Sequence, residues 1–91
     1  LQRIELTLDK TIMVIGESTN MTMRLFGTDG RPFGNVRIYT RVVNTDTGLL
    51  AYPIGYEDVG STGVEVLLLG TDSLSTGSYM VESSDNFNFV P

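Results

Sequence analysis

Apolar residues in this chain recur at every second position, in short runs cut by clusters of turn formers. That period belongs to strands half buried on one face, and nowhere does it lengthen to the 3.6 residues of a helix. The run Ser18–Phe26 is the clearest case. Thr19, Met21, Met23 and Leu25 share one parity and Asn20, Thr22 and Arg24 the other, so one face is written for a core and one for solvent. Arg3–Leu8 alternates in the same way, with Ile4, Leu6 and Leu8 on the apolar parity. Residues 11–15 continue it as a second, more apolar piece, and Gly16-Glu17 turns the chain.

Further runs complete the pattern. Residues 35–43 place Val36, Ile38 and Val42 inward and Arg37, Tyr39 and Arg41 outward. A weak edge strand is expected over residues 49–54, edge because Pro53 cannot donate to a ladder. Residues 55–63 read as a loop, 64–69 as a strand, 79–83 as another and 87–90 as a last one with Phe87 and Phe89 on one face. The breaks are chemically specific. Asp29-Gly30-Arg31-Pro32 and Asn44-Thr45-Asp46-Thr47-Gly48 combine residues that favour left-handed or φ-restricted backbone. Strands spaced 8–12 residues apart with no helix between them predict an all-β fold. The expected form is an immunoglobulin-like sandwich of about seven mostly antiparallel strands in two sheets.

Ninety-one residues close one core, so residues 1–91 form one domain. With 41% hydrophobic and 19% charged residues the composition is that of a folded globular chain. No apolar stretch is long enough to span a membrane. Leu1 opens almost directly onto a strand, which is expected of a domain excised from a larger multidomain protein. Consistent parity names the expected core as Ile4, Leu6, Met21, Met23, Leu25, Val36, Ile38, Val42, Val64, Val66, Tyr79, Val81 and Phe87.

Several functions are disfavoured by what is missing. There is no cysteine and no histidine, hence no thiolate, no imidazole base and no thiol or imidazole metal ligand. Lys10 alone cannot assemble a hydrolytic triad with a Ser or Thr. Six basic against eleven acidic residues, a net charge of −5, disfavours a nucleic-acid surface. No cofactor is expected.

The order of short motifs resembles two families of stacked surface modules. Asp9-Lys10, then Gly16-Glu17, then Asp29-Gly30-Arg31-Pro32, then Thr62-Gly63-Val64, and finally Thr76-Gly77-Ser78-Tyr79-Met80-Val81 is similar to invasin-type bacterial immunoglobulin-like repeats and to macroglobulin-like domains. The resemblance spans roughly residues 8 to 82. It implies a non-catalytic structural or adhesive module of an extracellular or cell-surface protein. Such a module acts mainly as a spacer, has neighbouring domains of the same chain as partners, and carries protein or glycan ligands on particular copies. An accessory domain of a secreted enzyme, or a viral or phage surface or tail module, is the alternative.

Three sets of residues are candidates for binding. Loops gathered at one pole of such a sandwich would bring Asp29, Glu57, Asp58 and Asp85 together, an oxygen-rich set suited to calcium. Glu17, Asp46 and Asp72 would meet at the other pole, although Asp also favours turns for its own backbone hydrogen bonds. The outward stripe Arg37, Tyr39, Arg41 could meet a glycan or an acidic partner, unless its charges pair with a neighbouring strand. Glu82 is expected opposite Arg37 or Arg41 and would then neutralise part of that stripe.

Tyr79 is expected to tie down the loop before it through its hydroxyl, as a tyrosine corner does. Asn20-Met21-Thr22 is the only N-glycosylation triplet, on the outward parity of its strand. Strands running alternately up and down should send the two termini out at opposite ends of a rod roughly 35–40 Å long.

Overall fold

The computed structural model describes residues 1–89. Six strands form: β1 (Arg3–Leu8), β2 (Ser18–Phe26), β3 (Val36–Asn44), β4 (Gly55–Val59), β5 (Val64–Gly70) and β6 (Tyr79–Ser84). They make two antiparallel sheets of three, ordered β1-β2-β5 and β4-β3-β6. Among the described residues there is no helix, and so none long and apolar enough to cross a membrane. The long axis measures 40 Å. The expected placement of the two termini depends on Pro91, which lies outside the described residues.

The core sits between the sheets because the alternating parity is obeyed where it is unambiguous. Met21, Met23 and Leu25 of β2 meet Ile38 of β3 and Val59 of β4, all fully enclosed, with Ile4, Leu6, Leu8, Val36 and Val81 packed around them half-buried. Val42 is buried as well. Tyr79 is half-buried.

Four expectations need correction, each for a physical reason. Residues 11–15 are not a strand, since a compact turn takes them up. Glu17 accepts the Val14 amide at 2.7 Å and Lys10 Nζ at 2.9 Å, drawing residues 10–17 into a closed loop, and Gly16 adopts a φ of 100°. Residues 49–54 pair with β3 through the Leu49 carbonyl, which accepts the Asn44 amide, through Leu50, opposite Val43, and through the Ala51 amide, before Pro53 interrupts the ladder. Pairing resumes at Gly55 opposite Thr40, so four residues on this side, 51–54, face two on β3, Arg41 and Val42, and the actual strand is β4.

In β5 the inward parity is the other one. Its register against β2 sets Leu67 beside Met21, Leu69 beside Thr19 and Glu65 beside Met23, and cross-strand neighbours share a face. Val64 and Val66 therefore point outward and are exposed, with Leu68. Finally, residues 87–89 form a turn and not a seventh strand, with Phe89 at a φ of 56°. Residue 90 of that expected strand lies outside the described residues. Phe87 is exposed and outside the core.

Candidate functional site: an arginine and aromatic face

Three residues of β3 set the face, and the neighbouring strands complete it in register. Arg37, Tyr39 and Arg41 alternate outward from the core side taken by Ile38 and Val42. β4 brings Asp58 opposite Arg37 and Tyr56 opposite Tyr39. β6 brings Glu82 opposite Arg41 and Ser84 opposite Tyr39. Past β6 the chain turns, with Asn86 N donating to Ser84 Oγ at 3.0 Å, and lays Phe87 and Phe89 back across the same face.

The contacts form two groups, one around Arg37 and one around Arg41. Arg37 grips Asp58 through two hydrogen bonds, Nε to Oδ1 at 2.7 Å and Nη2 to Oδ2 at 3.2 Å. Its guanidinium lies 4.0 Å from the centre of the Tyr56 ring. Tyr56 stands edge-on to Tyr39 at 6.3 Å, and Tyr39 edge-on to Phe87 at 5.4 Å. Arg41 donates to Glu82 at 3.1 Å and stacks 4.2 Å from the centre of Phe89. Each cation–π contact contributes about 0.5–1 kcal/mol at a surface.

Electrostatically the face is balanced, two guanidinium groups against two carboxylates. The Arg37 hydrogen bond holds the Asp58 carboxyl below the usual carboxylate range, and Asp58 in turn raises Arg37 further above its ordinary value. Both arginines are therefore spent on internal partners, and the face offers an acidic ligand little net attraction. What it does offer is aromatic surface. Tyr56 and Phe87 are each 55% exposed, and tyrosine and arginine are the side chains over-represented where binding energy concentrates. Arg37, Tyr39 and Arg41 were legible from alternation. Tyr56 and Phe89 were not, because each joins the face only through tertiary pairing.

The four calcium candidates do not converge. Asp58 is engaged by Arg37 on the outer face, while Glu57 takes the inner parity of the same strand. Asp29 Oδ1 accepts the Arg31 amide at 3.0 Å within its own turn, and Asp85 follows β6. At the other pole Glu17 pairs with Lys10. Among the described residues no three acidic side chains stand close enough to hold a metal ion.

A concavity of about 590 Å³ opens where the 11–15 turn meets the segment between β5 and β6. Leu8, Val42, Leu69 and Val81 form its floor, and Ser75 and Thr76 belong to its hydroxyl-bearing wall. None of the described residues that line it is charged. Its two tyrosine hydroxyls are already engaged, Tyr52 with the Gly70 carbonyl and Tyr79 with that of Ser75.

Comparison with family models, with curated proteins and with solved structures gave no match.

Proposed function

We propose that this chain is a non-catalytic, immunoglobulin-like structural or adhesive module of an extracellular or cell-surface protein, with the outer face of β4-β3-β6 as its contact surface. The observation that carries the reading is the corner at the start of β6. Tyr79 opens that strand and its hydroxyl donates to the Ser75 carbonyl at 2.7 Å, the link that pins the same corner in immunoglobulin-like sandwiches. The pairing order supports it too, with β2 and β3, consecutive in sequence, at the centres of opposite sheets. Tyr56, Tyr39 and Phe87 give the module an amphipathic patch of the kind that protein or glycan partners use.

Protease shaving of intact source cells or particles tests the location. Release of peptides from this chain is expected, and full protection of every peptide until lysis overturns the reading. A double Tyr39→Ala, Tyr56→Ala variant tests the face. It should fold, judged by one cooperative unfolding transition, and lose attachment of the parent protein to its natural surface. Undiminished attachment would leave the spacer role and remove the adhesive one.

A further inference from the structure

The outer face of β1-β2-β5 carries an apolar row that the rest of the surface does not explain. Val64, Val66 and Leu68 of β5 are 40%, 56% and 71% exposed, in line, on a strand whose far edge is unpaired among the described residues. Edge strands are usually blunted by charge, proline or brevity. β1 carries Arg3 and Glu5 on its outer row and β4 has only five residues. β5 runs seven residues without a proline, and its one charge, Glu65, takes the inner parity.

The residue directly across from Leu68 is Asn20, and the one across from Val66 is Thr22. These are the first and third positions of the only Asn-X-Thr triplet in the chain. Asn20 is exposed on the outer face of β2, the central strand of the sheet. We propose that Asn20 is an N-glycosylation site and that its glycan is what covers the Val66–Leu68 row. The inference rests on the extracellular reading above, because only a chain passing through a secretory compartment meets the donor.

The chemistry requires one co-reactant, an oligosaccharide linked to a polyprenyl pyrophosphate and presented by a membrane-bound transferase. Asn20 Nδ2 bonds to the anomeric carbon as the bond from that carbon to the pyrophosphate oxygen breaks. The pyrophosphate leaves with the electron pair, and the amide nitrogen gives up one proton to a base. Transfer to the chain before it folds makes the later position of Asn20 in a strand no obstacle. After folding, the first sugar lies beside Leu68. Its apolar ring face then shields the side chains, and its bulk stands beside the open edge of β5, where another strand would otherwise add.

The test is peptide mass analysis of the protein from its source, beside secreted recombinant protein. A glycan on the Asn20 peptide, removed by peptide-N-glycosidase with conversion of Asn20 to Asp, is expected. It should be lost in Asn20→Gln and Thr22→Ala and kept in Thr22→Ser. Hydroxyl-radical labelling of Val66 and Leu68 should rise several-fold on enzymatic deglycosylation. An unmodified Asn20 in source protein that shaving shows to be external overturns this proposal and leaves the module reading standing. Protection from shaving removes the module reading itself. Occupancy without any change in Leu68 labelling overturns the covering role, and a dimer present equally with and without the glycan shows that the edge is not guarded by it.

Discussion

The phenolic hydroxyl of Tyr79 donates to the backbone carbonyl of Ser75, four residues upstream, at 2.7 Å. The bond fixes the loop that leads into β6 against the strand that follows. Tyr79→Phe keeps the half-buried ring and removes only the hydroxyl. A typical net hydrogen bond contributes about 0.5–1.5 kcal/mol, so a loss in that range is expected by urea denaturation. An unchanged midpoint would mean that the loop is held by other contacts, and would weaken the immunoglobulin-like reading proposed above.

Acid should destabilise the chain through its two most strongly bonded carboxylates. Glu17 is held below the usual range first by the Val14 amide and then by Lys10, and Asp58 first by its hydrogen bond from Arg37. A carboxyl whose pKa is lower in the folded state stabilises the fold above its unfolded value, around 4, and loses that contribution as pH falls through the folded value. The melting temperature is therefore expected to drop as the pH falls from about 5 through the carboxylate range. Both side chains are largely open to solvent, so the effect is small and screened. Asp58→Asn should give a shallower acid slope, and so should added salt. A slope unchanged in Asp58→Asn would show that the Arg37 pair contributes nothing.

Which face of β5 is inside can be decided by two substitutions. Leu67 is half-buried and packs against the core, whereas Val66 points to solvent. Leu67→Ala should cost about 1–3 kcal/mol, somewhat below or at the lower end of the range for a fully buried leucine. Val66→Ala should fall within about 0.5 kcal/mol of the parent, as exposed positions do. Denaturant midpoints of the two variants give the comparison. The reverse order would mean that β5 pairs with β2 one residue out of the present register.

That ambiguity explains much of what could be read from the sequence and what could not. Met21, Met23 and Leu25 alternate with polar residues, so their strand has one admissible face and its bounds followed from pattern alone. The run Val64-Glu65-Val66-Leu67-Leu68-Leu69 is apolar at both parities, and only the neighbour across the ladder chooses between them. β4 has Gly55, Glu57 and Asp58, residues poor in intrinsic strand preference, and forms because β3 offers it an edge. The arginine face divides the same way. Arg37, Tyr39 and Arg41 came from the alternation of one strand, and Glu82 was expected across the sheet and lies opposite Arg41. Asp58 sits among Gly55, Glu57 and Gly60, a composition that reads as a loop, so alternation alone does not place it on this face.

The turn between β4 and β5 gives the sharpest test of backbone fit. Gly63 and Gly48 both adopt left-handed backbone, at φ values of 71° and 73°. They differ in what surrounds them. A Cβ on Gly48 would meet nothing within 4 Å, so Gly48→Ala should cost only the conformational strain, about 1–2 kcal/mol. A Cβ on Gly63 would lie 2.8 Å from the carbonyl oxygen of Phe33 and 3.0 Å from its nitrogen. That backbone cannot easily retreat, because the Phe33 amide donates to Leu25 O at 3.0 Å and Leu25 N donates to Gly63 O at 2.8 Å. Three segments are thus locked through Leu25, whose own side chain is in the core. Gly63→Ala must either break one of these bonds or push the turn off the end of β2, and a loss on the order of 3–5 kcal/mol is expected. For a small domain whose whole stability is on the order of 5–15 kcal/mol, that is a large share. Equilibrium unfolding of the two variants, side by side, should therefore show Gly63→Ala with much the lower midpoint. Equal midpoints would mean that the turn yields freely and that the Phe33, Leu25 and Gly63 bonds do not hold these three segments together.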